Sequence, residues 1–599
     1  MKSNSCTCED CKCDPCECSS HTCCSESKWC QSSWCNWKNW LLISWIMLII
    51  LCVVWFLSLG SLWQSSHTGM MGMSHMNTVK PTISKTIQPK TLNDLILTED
   101  ATVTDVKPTE VVNLKDGDTY DLTIQKVRKV INGKTLIMLS YNGSIPWPTF
   151  RAPKGATVKF KVRNTVAELA TTIHPHGVRL NYLYDGVPRD QGGAQDPIKV
   201  GDVYEQIITF PDNGIFWYHP HTRDDFEQEL GEYGTFQIYD PTEKQTVDSE
   251  NVITLDDILI ENGTVAPFRT ETVDHTLMGR YGNTMFVDWN TNFSLTLKQG
   301  EVRRLYLVNT ANARPFDFTI PWVKMKLVGG DLGYYENETF VDHLIISPAE
   351  RYIVDIMSEK SGNFPVQSIG GGKTISLGTL TVMPNTTPSI YKKDFETLKT
   401  HDILWNLKNT LSSYQSKTPD KSLKITMTME GMDGMEWMGD MGGMGWMNHN
   451  MWWMGMGSMS MENESPDGIE WEDTMAMMNS NSTNKTIKWI LKDEQTGKEG
   501  MDIDWSFKKW SLVKIRLTND KDAMHPMQHP FHMHGQRFLV LNQNGTINTN
   551  LVWKDTVLIP KDQYVDILVD MSNPWNWMAH CHVVEHLFAG MMLGYKVVN

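Results

Sequence analysis

The chain has 599 residues with 54 Lys+Arg against 70 Asp+Glu, a net charge of −16. That length predicts several domains, and the acidic balance argues against a nucleic-acid binder, which needs a basic face. Two residue types are spread unevenly: 36 Met occur in clusters, and 10 of the 12 Cys lie within the first 35 residues. After Cys52 only Cys581 remains, so no disulfide can form within that stretch.

The first element is a tail, residues 1–39. Its CTCEDCKCDPCEC run suits soft thiolate ions such as Cu(I) or Zn(II) and resembles a metallothionein only in its CxC spacing. A palmitoylated tail is the alternative. Residues 41–63 follow without a charge; as a helix they reach about 34 Å, enough for a bilayer core of about 30 Å. Trp40 and Trp63 stand at its two ends. The expectation is an uncleaved anchor over 40–63. Lys28 and Lys38 precede it, whereas the next Lys is Lys80, so the tail is expected in the cytoplasm and the rest outside, extracellular or periplasmic. Residues 64–109 read as a flexible stalk with a small soft-metal cluster (His67, Met70, Met71, Met73, His75, Met76).

Beyond the stalk the pattern is β. In VKFKVRNT, Val158, Phe160 and Val162 alternate with charges. The same unit recurs in RRLYLVNT (303–310) and VKIRLTND (513–520), each placing apolar residues two and four positions before an Asn. A second strand unit follows each copy: YEQIITF, YIVDIM and YVDILVDM. Three copies predict three related β-sandwich domains, at 110–245, 246–400 and 485–599. Residues 401–484 read as a linker. It carries 13 Met between Met427 and Met461, a thioether-rich stretch suited to Cu(I), or else an adaptable apolar surface.

Of 18 His, ten fall into four motifs: HPHG (His174, His176), WYHPHT (His219, His221), HPFHMHG (His529, His532, His534) and HCHVVEH (His580, His582, His586). The first and third motifs begin ten residues after Asn164 and Asn519, so domains one and three carry ligands at equivalent places. Domain two has no paired His there and reads as a spacer. Residues two apart on a strand share a face. Parity therefore separates eight His (174, 176, 219, 221, 532, 534, 580, 582) from a second set, His529, Cys581 and His586, with Met591 ten residues past the Cys. Two His, a thiolate and a distant thioether suit a blue-copper electron-transfer site, and eight neutral imidazoles suit copper clustered around oxygen.

On these four motifs, residues 110–599 resemble the three-domain, laccase-like branch of the multicopper oxidase family. The resemblance implies an all-β fold of three cupredoxin-like Greek-key β-sandwiches and four Cu ions. His529, Cys581, His586 and Met591 would hold type 1; His174 and His532 type 2; His176, His219 and His582 one type 3 ion; His221, His534 and His580 the other. It also implies a reductant giving one electron at a time at type 1, dioxygen reduced to water at the cluster, and Asp185 as a proton relay. The position after His586, acidic in some relatives, is Leu587. The Met-rich stretch favours Cu(I) as the reductant, in copper tolerance. A laccase acting on phenols and an Fe(II) or Mn(II) oxidase are the rivals of the same class. A non-enzymatic surface copper store is the rival from another class, and a two-domain nitrite reductase would lack the double set of HxH motifs. His275, His343, His401 and His525 are expected to be structural.

Overall fold

The computed structural model describes residues 90–387, 389–430 and 466–599. The Cys-rich tail, the proposed anchor, most of the stalk and Met432–Met461 lie outside the described residues. Among the described residues no helix is long and apolar enough to cross a membrane.

Residues 88–599 form one unit, built, among the described residues, of three pairs of five- or six-stranded sheets and one two-stranded sheet. The repeated strand units pair with each other in every sandwich. Thr157–Asn164 lies antiparallel to Val203–Thr209, Arg303–Asn309 to Arg351–Met357, and Ser511–Asn519 to Tyr564–Met571. Along the first of these, Val158, Phe160 and Val162 are buried and the residues between them are not. Each buried side chain contributes roughly 1.5–3 kcal/mol. The Asn that ends each copy explains the repeat. The amide of Asn164 donates to Leu169 O (2.8 Å) and Ile198 O (3.0 Å). That of Asn309 donates to Arg314 O (2.9 Å) and Ile346 O (2.7 Å), and that of Asn519 to Met527 O (2.6 Å) and Pro560 O (3.1 Å). Each Asn thus ties down the loop leading into the next strand of the opposite sheet. Those next strands are His174–His176, Phe316–Thr319 and His529–Met533. Removing the Asn164 amide would leave Leu169 O without its partner, at about 1–3 kcal/mol, whereas Ile198 O keeps the bond from Thr171 N (3.2 Å).

Two boundaries differ from the sequence reading. Lys421–Met429, assigned there to the linker 401–484, is a strand of the third sandwich. It pairs antiparallel with Ile487–Asp493 and parallel with Ser511–Asn519. Leu423, Ile425 and Met427 point into the core. The Met-rich stretch is therefore inserted between two paired neighbours of one sheet, and the contiguity that would mark them as a hairpin is broken by it. The second difference is the end of the stalk. Leu92–Ile96 is a short helix with a Thr91 capping box, Ile96 is buried, and Leu92 N donates to Phe268 O (3.0 Å). Thr104–Asp105 joins the first sandwich beside Val127–Arg128. The chain from Lys90 onward is packed rather than free.

Candidate metal centre

Strand pairing builds the site. Within the first sandwich His174 stands directly opposite His219; within the third, His532 stands opposite His580, and Phe531 opposite Cys581. The two HxH pairs of one sandwich then face those of the other. Ring centroids of His176 and His532 lie 3.8 Å apart, and those of His174 and His534 lie 4.2 Å apart. His176, His219 and His582 are mutually 5.0–5.6 Å apart, and His221, His534 and His580 are 5.1–5.3 Å apart. His174 and His532 sit at 6.0 Å. All eight are buried.

Close packing around the cluster depends on two glycines, Gly177 between sandwiches and Gly535 within the third. Gly177 (φ 80°) and Gly535 (φ 69°) each follow an HxH in the left-handed region, which favours glycine. A Cβ at Gly177 would run into the Asp555 carboxylate and Arg351, and one at Gly535 into the Trp577 ring.

Ring nitrogens facing outward from the cluster are held by hydrogen bonds. His174 Nδ1 meets Asp185 O (2.5 Å), His219 Nδ1 meets Pro220 O (2.7 Å), His532 Nδ1 meets Asp555 O (2.9 Å), and His580 Nδ1 meets Cys581 O (2.7 Å). His534 Nδ1 meets Asp185 Oδ2 at 2.9 Å. His176 is turned the other way, with Nε2 on Asp555 Oδ1 (3.1 Å) and Nδ1 unpaired. Trp217, two residues before His219 and so on its face, stacks on that ring at 4.2 Å.

The second set is also assembled. Cys581 Sγ lies 3.7 Å from His529 Nδ1 and 3.9 Å from His586 Nδ1. Met591 is buried beside them in the same core, and its carbonyl accepts from Cys581 N (3.1 Å). Trp489 packs against His529 and His586 at 4.8 and 4.4 Å. Its indole N–H is tied to Thr276 O (2.8 Å).

Electrostatics favour the ligand forms. Burial lowers the imidazoles, His529 and His534 to about 3 and His176, His219, His221, His580, His582 and His586 well below the usual range. They are neutral at pH 7, as metal ligation requires. Burial pushes the Cys581 thiol up, so a cation must displace its proton. Asp185 behaves oppositely. Burial alone would raise it, but the imidazoles of His534 and His174 hold it below the usual carboxylate range.

Copper fits these residues. Six of the eight clustered His keep at least one buried ring nitrogen without a hydrogen bond, the remaining two, His534 and His580, having Nε2 atoms 3.0 Å apart. The donor atoms of His221, His534 and His580, and those of His529, Cys581 and His586, gather within 4.8 Å of one another. Imidazole with one thiolate is a donor set suited to copper.

Three consecutive family models, each described as multicopper oxidase, match residues 123–243, 244–385 and 469–599. The chain belongs to the multicopper oxidase family. It is an oxidoreductase, and four coppers of types 1, 2 and 3 are the family's cofactor set. Multicopper oxidase mco of Staphylococcus haemolyticus is 26% identical over 503 residues, 81% of this chain and 90% of that protein. Copper resistance protein A of Escherichia coli is 26% identical over 581 residues, 80% and 93%. Among solved structures, the metallo-oxidase of Campylobacter jejuni superposes with a TM-score of 0.59 at 22% identity, covering 82% of this chain and 96% of that one.

Two residues had no signal in the sequence. Asp555 stands in no His motif, yet it touches both His176 and His532. Arg351 belongs to the second sandwich, the expected spacer. Its Nη1 and Nη2 donate to Asp555 Oδ1 (2.6 Å) and Oδ2 (2.5 Å), and its Nε to Ile215 O (3.0 Å) of the first sandwich. Burial would raise the Asp555 carboxyl, but the guanidinium holds it well below the usual range. The second sandwich therefore supplies the cation that keeps the cluster's carboxylate ionised. The four isolated histidines stay outside the cluster: His275 meets Asp274, His343 meets Asp317 and His401 meets Glu338, while His525 is nearest the His529 side.

Arg351→Leu removes the guanidinium that pairs with the buried Asp555 carboxylate. The metal-free variant is expected to lose about 3–5 kcal/mol in denaturant titration, and adding Asp555→Asn should restore part of it. A variant as stable as the parent would contradict this account of the pair.

Proposed function

We propose that this chain oxidises Cu(I) to Cu(II) and passes the electrons to dioxygen, in copper tolerance. In this reading His529, Cys581 and His586, with Met591 as the distant thioether, hold type 1. His174 and His532 hold type 2; His176, His219 and His582 hold one type 3 ion, and His221, His534 and His580 the other. Copper bound there supplies one-electron uptake at the Cys581 side and four-electron reduction of dioxygen to water at the histidine side. The chain's part is to wire, orient and protonate. Cys581 is joined to His580 and to His582 by one peptide bond each, so a single peptide bond separates a residue of one centre from a residue of the other. Trp489 shields both type 1 imidazoles from water, and Asp555 and Asp185 fix ring orientation.

Asp185 is assigned the proton relay. Its Oδ2 holds His534 while Oδ1 has no hydrogen bond. The residue lines a cavity of about 300 Å³ with Tyr182, Met501, Asp504, Trp577 and Tyr595, and this cavity is the support for proton and water access there.

The observation that carries the cuprous reading is the position of the Met-rich stretch. It leaves and re-enters the sandwich that bears Cys581, between Met429 and Ile487, and relatives named for copper resistance agree with it. Deleting 431–461 is expected to lower Cu(I) turnover at least about tenfold while leaving oxidation of a phenol within about twofold. Equal loss, or no loss, for both would defeat the cuprous reading.

The anchor is proposed on the uncharged run 41–63, with residues 1–39 cytoplasmic and the oxidase outside. A chain beginning at residue 64 should leave the membrane fraction, and the full chain in intact cells should lose its oxidase to added protease. Retention of the shortened chain in membranes would overturn this.

A further inference from the structure

The reduction of one dioxygen to two waters takes four electrons and four protons. A group of acids that the metal centres do not use lies beside His221. His221 N donates to Thr172 Oγ1 (3.0 Å). Thr171 Oγ1, on the adjacent residue, donates to Glu232 Oε1 (3.4 Å), and Thr222 Oγ1, next to His221, donates to Glu227 Oε1 (2.6 Å). Glu227 ends the one-turn helix Asp224–Glu227, and Glu232 N donates to Glu227 O (3.0 Å), which brings the two side chains together. Both residues are fully buried, and Glu227 Oε2, Glu232 Oε2 and Asp224 Oδ1 have no hydrogen-bond partner.

Charge cannot be balanced here with every acid ionised. The one cation at the group is Arg223, and its fork is taken by Asp225, Nε to Oδ1 and Nη2 to Oδ2 both at 2.8 Å. Glu227 Oε1 also accepts from the Arg223 backbone N–H (3.2 Å), but among the described residues no side-chain cation pairs with Asp224, Glu227 or Glu232, and the unpaired Tyr141 hydroxyl lies near Glu232 and Glu227. Buried carboxylates without a counter-cation keep their protons. Burial raises Glu227 to about 7 and Glu232 well above the carboxylate range, the nearness of Glu227 adding to the latter.

We propose that Glu227 and Glu232 form a proton-holding pair that delivers protons, through the hydroxyls of Thr171, Thr172 and Thr222, to the His221 side of the oxygen-reducing centre. It rests on the assignment of His221 to that centre. For each proton delivered, one carboxyl O–H breaks, the proton goes to an oxygen of the former dioxygen, and the carboxylate regains a proton from solvent. The electrons come only from the reductant. The pair takes the role for which Leu587 has no acid.

The test uses the full chain loaded with copper, with Glu227→Gln and Glu232→Gln, and Glu205→Gln on the surface as control. After anaerobic reduction, reoxidation by dioxygen is followed in a single turnover, with solvent isotope effects. Infrared spectra of the metal-free proteins report protonated carboxyls through the C=O band that shifts in heavy water. Both buried variants are expected to keep the type 1 reduction rate and to slow reoxidation roughly 100-fold. Each should also lose part of the infrared band, while the control changes nothing. Reoxidation within about twofold of the parent, or a band left whole in both variants, would overturn the proposal. If the variants do not fold, absence of the band in the parent overturns it as well. A parent that reduces no dioxygen would instead count against the four-copper reading.

Discussion

Neutral imidazoles, turned inward from two sandwiches and cut off from water, are the feature on which the rest of the structure depends. A buried polar atom without a partner costs roughly 1–3 kcal/mol, and here six of eight clustered histidines carry at least one. The fold bears that because strands from the first and third sandwiches are pinned around it. Asn164 and Asn519 fix the loops before the first and third motifs. Gly177 lets the seam close, and Arg351 of the second sandwich reaches across to Asp555. The arrangement is a preformed set of donors whose shortfall in hydrogen bonds is met when cations enter.

The electrostatics divide into two kinds. Asp185 and Asp555 are held ionised by imidazole or guanidinium neighbours and act on ring orientation. Glu227, Glu232 and Asp224 face no free cation and hold protons. One burial thus serves two purposes: neutral imidazoles for ligation, and protonated carboxyls within two side chains of His221. In the proposed assignment electrons enter from the Cys581 end and dioxygen is consumed at the histidine end, so a proton store beside His221 lies where charge must be neutralised.

The clustering of the histidines was legible because strand geometry repeats every two residues. HxH declares a shared face, and HCH places sulfur opposite two imidazoles, whatever the rest of the chain does. The Asn-ended strand unit gave three sandwiches for the same local reason. What depends on docking was not legible. Asp555 and Arg351 acquire meaning only when three sandwiches meet, the Glu227–Glu232 pair only when the loop after His221 folds back on Thr171, and nothing in WKDTV or HTRDDFEQEL states the partner. The strand Lys421–Met429 does alternate, with Leu423, Ile425 and Met427 inward, but its neighbour Ile487–Asp493 lies beyond the Met-rich insertion. Proximity in sequence, the usual mark of a hairpin, was missing there.

The most direct test is the position of copper itself. Crystals of the copper-loaded protein, measured on both sides of the copper absorption edge, should show four anomalous peaks. Three should lie among the eight histidines between the first and third sandwiches, and one beside Cys581, His529 and His586. Peaks confined to other surfaces, with the space between those sandwiches empty, would contradict the account.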